Sequence, residues 1–359
     1  MRLVERGGAS RWRTPLAVAV AVGLTFVICA VPIRLAGADP LEAYRRYLFV
    51  PLTSAHGVQE VLLAATPLLF TGLAVAVAFR AGYFNIGAEG QFLAGAMGAA
   101  VPGLYLDGLP VGVALPLGLL CGAAAGTLWA LLPALLRRFA AIDEVVTTLL
   151  LNPVALLLLQ GLLNGAWRNP ESGFPDSANF GAGYTMPMLL GGDRVHAGLI
   201  LAIVAIALTG AVMTFTPLGL RIKAAGQAPD AARFSGIAVD RIKLSSALAS
   251  GAIAGLAGAV QVLGVQHQVT SSIANGYGYT GIVVATLGGL SAFGVLAVGL
   301  LLGDISVGAQ NASFTLQLPT QMGQLVTALL LLTVVSCVRL SHYRLVRRAS
   351  GPVLTVNTS

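Results

Sequence analysis

The chain has 359 residues, 56% of them hydrophobic and only 10% charged, with a net charge of +7. Soluble domains carry about 25% charged residues, so this composition excludes a fully water-exposed surface and requires lipid over much of the protein. The basic residues sit at the ends of apolar runs, not in one stripe with aromatics, which argues against a nucleic-acid partner.

At the N-terminus, Arg2, Arg6, Arg11 and Arg13 precede an apolar run over 15–33, and Ala36-Gly37-Ala38 follows it. This pattern fits a cleaved signal peptide or a retained first helix. The run reaches the ~20 residues a span needs, which favours the retained helix. Hydropathy predicts about ten spans in all: 15–33, 58–79, 84–102, 110–136, 145–163, 197–215, 244–264, 277–290, 294–311 and 321–338. The third and eighth are short, Gly-rich and polar at one end, which predicts broken or re-entrant helices. Five spans per half place the halves in opposite orientation, the arrangement of inverted repeats with discontinuous helices near the midplane. The predicted fold is therefore all-α and polytopic, with about ten transmembrane helices in two inverted five-helix halves.

Orientation follows from Lys and Arg. With a cytoplasmic N-terminus and single crossings, 16 of the 21 basic residues fall inside and 5 outside. The positive-inside rule then places both termini in the cytoplasm, with a multi-pass location in the plasma (inner) membrane. The segment 165–195 is the longest extracytoplasmic loop and 35–57 is another; each is either a docking surface for a soluble partner or a solvated connector. Residues 344–359 read as a cytoplasmic tail. Three GxxxG pairs, Gly122/Gly126, Gly251/Gly255 and Gly299/Gly303, read as helix-packing contacts.

The third span opens F-N-I-G-A-E-G-Q-F, which sets Asn85, Glu89 and Gln91 in or against the membrane. Intramembrane ionisable groups usually face a protein interior or an aqueous path, and Asn85 and Glu89 share a face if helical. Asn152-Pro153 lies mid-span, and Asp304 beside Gly303 is a second deep carboxylate. Asp143-Glu144 suits the positive end of a helix. The cytoplasmic stretch 216–243 reads as two short helices, one opened by Pro217 and stopped by Gly226, the other spanning 229–234 and ended by Gly236. Their expected apolar edge is Ile222, Phe234 and Ile237, with a basic rim, shaped to sit in a groove of a soluble partner rather than only on lipid headgroups. No P-loop is present. Cys29, Cys121 and Cys337 lie inside apolar spans and His56, His196, His267 and His342 near span ends, with no metal spacing, so neither a metal nor a cofactor is expected.

Several motifs occur in one order: F-N-I-G-A-E-G-Q, D-E-V-V-T-T-L-L-L-N, T-P-L-G-L-R-I-K-A-A-G, A-A-R-F-S-G-I, S-G-A-I-A-G-L-A-G-A and G-Y-G-Y-T-G-I-V-V-A-T-L-G. Together they resemble the permease subunits of ABC importers in the branched-chain amino acid/ribose permease superfamily, above all the nucleoside-type group that works with Bmp-family lipoprotein receptors. The resemblance covers about residues 58–338. It implies a permease domain over 1–343 driven by a separate ATP-binding cassette ATPase, an extracytoplasmic lipoprotein substrate-binding protein, and, from the A-E-G-Q form, a second homologous permease. It also implies an ATPase-coupling loop over 217–243, carried by Leu218, Gly219, Arg221, Ala225, Gly226, Pro229, Ala232, Arg233, Gly236 and Ile237. The family often has N-E-V where this chain has Asp143-Glu144, and a Tyr near Pro153.

The expected function is nucleoside uptake by alternating access, with no enzymatic chemistry in this chain. Asn85, Glu89, Gln91 and Asn152 are expected beside the path, Phe84 and Tyr277 to stack on a base, and Asp304 to line it. An ion-coupled secondary transporter using Glu89 and Asp304 is the alternative, although it leaves the shaped basic loop without a purpose. An intramembrane enzyme would need a nucleophile–base pair or a metal cluster at membrane depth, and the sequence supplies neither.

Overall fold

A computed structural model describes residues 2–5, 13–106, 108–189, 194–319, 321–341 and 343–346. The chain forms two compact units, 1–40 with 324–359, and 41–323. In the first, helix α1 (Arg13–Leu35) and the greater part of α13 (Gln321–Ser341) are bonded through the hydroxyls of Thr25 and Thr333, 2.6 Å apart. A short antiparallel ribbon pairs β1 (Arg2–Glu5) with β2 (Tyr343–Val346). The start of the expected tail thus lies in that ribbon, and residues 347–359 lie outside the described residues.

The second unit is helical: α2 (Pro40–Leu48), α3 (Ala55–Arg80), α4 (Ala88–Tyr105), α5 (Val111–Ala140), α6 (Glu144–Asn164), α7 (Gly198–Phe215), α8 (Pro217–Gln227), α9 (Pro229–Phe234), α10 (Val239–Gln261, continued by a π turn to Gln266), α11 (Tyr277–Leu287) and α12 (Ala292–Leu316). Short polar side chains start several of them. Ser54 Oγ accepts the Gly57 N–H, Asp143 Oδ1 those of Val145 and Val146, Thr216 Oγ1 that of Gly219 and Ser291 Oγ that of Gly294, each satisfying a first-turn donor. Glu144 follows its cap and also meets Arg137 Nε at 3.0 Å, a partner outside its own helix.

Among the described residues, eight helices are long and apolar enough to cross a membrane. They correspond to eight of the predicted spans. The other two predicted spans, the third and eighth, are α4 and α11. With 11 residues, α11 is about 16 Å long and cannot cross a ~30 Å hydrocarbon core. Helix α4 has 18 residues, but Glu89 and Gln91 in its first turn lower its hydropathy.

Glycine sets the centre of this unit. The GxxxG pairs of α5 and α10 pack on one another, so that a Cβ on Gly126 would meet the Gly251 carbonyl oxygen and the Gly255 backbone. A Cβ on Gly95 of α4 would run into Gly255 as well, and one on Gly258 into Phe92 and Ala96. Three helices therefore touch at backbone distance, which only small residues permit. The third pair, Gly299 and Gly303 on α12, fits against Leu69 and Ala65 of α3.

The segment 165–195 folds back onto the end of α10. Ser177 N–H donates to the Val269 carbonyl at 2.9 Å, Phe180 N–H to His267 at 2.8 Å and Met186 N–H to Leu263 at 3.0 Å. Ser177, Tyr184 and Met186 are buried. Residues 190–193 of that loop lie outside the described residues. His196, buried between Gly198 and Gly264, accepts the Gly198 N–H on Nδ1 at 3.1 Å. Burial, aided by His267, pushes its pKa down to about 4.

Two predictions follow from this packing. Gly255→Val should lower the melting temperature in detergent by the equivalent of about 1–3 kcal/mol or abolish folding, whereas Gly161→Ala, on α6 with open space beside it, should be neutral. The second concerns acid. An unfolded His titrates near pH 6.5 and takes a proton that folded His196 refuses until about pH 4, so stability should be flat above about pH 7 and fall as pH drops from there towards 4. Melting curves across that window check this, and His196→Asn should flatten the slope.

Candidate functional site

Helices α4 and α11 meet N-terminus to N-terminus. Glu89, in the first turn of α4, accepts the Gly276 N–H on Oε1 at 3.1 Å and the Gly278 N–H on Oε2 at 2.6 Å. One carboxylate thus satisfies two donors at the start of α11. Each helix N-terminus carries roughly half a positive charge, so the anion lies where both fields favour it. The approach requires glycine: a Cβ on Gly278 would collide with the backbone of Ala88 and Glu89, and Gly276 at φ +74° adopts a conformation that favours glycine. Thr71 of α3 holds the same turn from the other side, donating its hydroxyl to the Tyr277 carbonyl at 3.0 Å.

The segment 83–87, which leads into α4, is stitched on both flanks. Asn85 and Gln91 exchange amide hydrogen bonds at 2.8 and 3.2 Å, and Asn85 Nδ2 also donates to Ser250 Oγ on α10 at 2.9 Å. Asn152 Oδ1 on α6 accepts the Gly90 N–H at 2.9 Å, while its Nδ2 donates to the Ile86 carbonyl at 2.9 Å. Thr148, one turn earlier, accepts the Ile86 N–H at 3.2 Å. Non-helical backbone at membrane depth is tolerated only where such partners replace water.

The expected path residues separate into three groups. Asn85, Glu89, Gln91 and Asn152 are buried and bonded within this junction. Tyr277 packs its ring 5.5 Å from that of Phe92, and Phe84 is half exposed with its edge against Phe79 at 5.3 Å. Asp304, buried on α12, makes none of these contacts, and its Oδ1 has no hydrogen-bond partner among the described residues. Thr71, Thr148 and Ser250 were not singled out from sequence. Thr148 was within reach, because Glu144, Thr148 and Asn152 recur every fourth residue along one face of α6. Ser250 carries no such signal.

The expected coupling residues form α8 and α9. Pro217 and Pro229 occupy first-turn positions, and Gly236 at φ +81° ends the pair. Helix α8 runs one residue past Gly226, so that glycine is not a stop signal. Its lack of a side chain instead lets α8 lie on the Arg80 carbonyl and on Gly82. Gly219 packs in the same way on Met213. Ala225, Ala232 and Val239 form a small core with Ile237 against it. Ile222, expected on the exposed edge, is buried, because its face of α8 turns inward with Ala225. Leu218, Leu220 and Phe234 form the exposed apolar surface, Phe234 at 97% exposure. Arg221 is exposed, and Arg233 pairs with Asp230 at 3.0 Å and Asp240 at 3.6 Å.

Residues 57–335 match the family described as branched-chain amino acid transport system, permease component. A glucose ABC transporter permease protein of Haloferax volcanii is 37% identical over 85% of this chain and 83% of its own length. A guanosine ABC transporter permease protein of Bacillus subtilis is 34% identical over 78% of this chain and 81% of its own. A nucleoside ABC transporter permease protein of Lactococcus lactis is 30% identical over 89% and 90%. No solved structure matches.

Glu89→Gln should test the junction. It removes the charge and turns one acceptor into an amide that faces a backbone N–H, leaving a buried donor unpaired at a cost of about 1–3 kcal/mol. A lower melting temperature and reduced uptake are expected, and unchanged values for both would contradict the role given to Glu89.

Proposed function

This chain belongs to the branched-chain amino acid transport permease family, as a multi-pass permease subunit of an ATP-binding cassette importer that works with an ATPase and a substrate-binding protein, and we propose from that premise that its solute is a nucleoside. The relatives whose names specify guanosine or nucleosides support this reading. So does the half-exposed ring of Phe84, which offers a face to a base beside the junction, whereas the buried amides of Asn85, Gln91 and Asn152 are engaged within the protein. A sugar is the second reading, favoured by the 37% identity to a glucose permease. The family to which the chain belongs consists of transport proteins rather than enzymes.

The proposed mechanism is alternating access. The observation that carries it is the seat of α8 on Arg80 and Gly82 through Gly226. From Gly82 the chain enters the stitched segment 83–87 and then α4, whose Glu89 grips α11. A displacement of α8–α9 by a closing ATPase pair therefore acts on the root of the segment that carries the junction. Leu218, Leu220 and Phe234 would fill a groove on the ATPase, with Arg221 and Arg233 at its rim. Taken together with the segments 83–87 and 267–276 that lead into them, the half-helices α4 and α11, meeting head to head, support ten crossings in two inverted halves. The split of 16 basic residues against 5 supports cytoplasmic termini. The folded loop 165–195 would receive a lipoprotein binding protein, and the A-E-G-Q form supports pairing with a second permease.

Uptake by the reconstituted complex tests the solute. ATP-dependent accumulation of labelled guanosine, competed by other nucleosides and not by glucose, is expected, and the reverse pattern would establish the sugar reading. Phe234→Ala should cut ATP-driven uptake by about tenfold or more, as loss of an interface anchor does. Its side chain is 97% exposed, so the melting temperature should shift by less than about 0.5 kcal/mol equivalent.

A further inference from the structure

Between the end of α5, α9 and the start of α10 lies a cleft of about 250 Å3, of whose lining the transport reading uses only Arg233. Four cations line it, Arg137 and Arg138 from the end of α5, Arg233 from α9 and Lys243 from α10, together with Asp240 and Tyr83. Two of the cations are already engaged: Arg137 with Glu144 at 3.0 Å, Arg233 with Asp230 at 3.0 Å and Asp240 at 3.6 Å. Arg138 and Lys243 make no ion pair among the described residues. Four cations against three carboxylates leave a positive surplus, concentrated at those two. The second observation is independent of charge. Tyr83 is 2% exposed, yet its buried hydroxyl has no hydrogen-bond partner among the described residues. Tyr83 is one of the residues that line the cleft, and a buried hydroxyl left unpaired is unfavourable.

We propose that this cleft binds the phosphate of an acidic phospholipid headgroup, with Arg138 and Lys243 supplying the counter-charge and the Tyr83 hydroxyl donating to a phosphate oxygen. A phosphate offers acceptor oxygens in several directions at once, and these donors come from three separate segments of the chain. Phe139 and Ile142, 75% and 42% exposed, flank the α5 end of the cleft and give acyl chains an apolar surface. Basic clefts between membrane helices on the cytoplasmic side bind such headgroups, and the inference rests on the proposed cytoplasmic placement of the 216–243 stretch. Tyr83 also opens the segment 83–87, so the lipid would brace the connection that leads to Asn85 and Glu89.

The test uses the full chain, purified in neutral detergent and titrated with phosphatidylglycerol or with phosphatidylcholine, read by native mass spectrometry and by melting temperature. Phosphatidylglycerol should be retained and raise the melting temperature, and phosphatidylcholine should do neither. Arg138→Ala with Lys243→Ala should weaken retention by about tenfold or more, the scale of losing a charge-assisted contact. Tyr83→Phe should not lower the lipid-free melting temperature, because its hydroxyl has no partner to lose among the described residues, while shrinking the lipid-induced rise. Equal retention of both lipids, or retention indifferent to these substitutions, would overturn the proposal. Displacement of the lipid by millimolar inorganic phosphate or ATP would assign the cleft to a soluble phosphate and overturn the lipid source. No step of this assay requires transport, so a failed uptake experiment and a failed lipid titration are told apart.

Discussion

A single carboxylate joins the two half-helices of this permease. The first turn of any helix leaves four backbone N–H groups without partners, and in hydrocarbon no water replaces them. Placing two such ends against each other would bring like partial charges together. Glu89 resolves this by accepting from Gly276 and Gly278 while standing in the first turn of its own helix. The surrounding sequence serves that contact. Gly278 admits the backbone of α4, Gly276 supplies the left-handed turn, and Thr71 holds the Tyr277 carbonyl.

The junction is stiff on one side and continuous with a mechanical element on the other. Asn85, Gln91, Thr148, Asn152 and Ser250 leave the entry segment little freedom, since its backbone and side chains are bonded to α6 and α10 at once. Glycine contacts among α4, α5 and α10 add close packing with little side-chain entropy to lose. At the far end, Gly226 of α8 rests on Arg80 and Gly82 with no intervening side chain. A push there reaches α4 through the five bonded, non-helical residues 83–87 rather than through a compressible layer.

Much of this was legible in sequence because it is local. The Pro217 and Pro229 helix starts, the Asp143 cap and the brevity of the third and eighth spans depend on neighbouring residues only. The GxxxG pairs announced close packing but not which helix would receive each. What stayed hidden was long-range pairing. Asn85 and Ser250 are 165 positions apart, and Glu89 and Gly278 are 189 apart. Hydropathy placed Asn85 and Asn152 at depth without showing that each would be bonded to protein. Ile222 was misjudged for a related reason: on so short a helix, apolar residues mark two faces, and only the packing of Ala225, Ala232 and Val239 decides which turns inward. The return of the 165–195 loop onto α10 left no periodic trace, since its hydrogen bonds run through backbone groups.

The central claim is that Glu89 holds the start of α11. Hydrogen–deuterium exchange at the Gly276 and Gly278 amides measures that hold directly. Slow exchange in the unaltered protein, lost locally when Glu89 is replaced by Ala while α10 and α12 stay protected, is the predicted result. Fast exchange at both amides with Glu89 in place, or protection that survives its removal, would contradict the account.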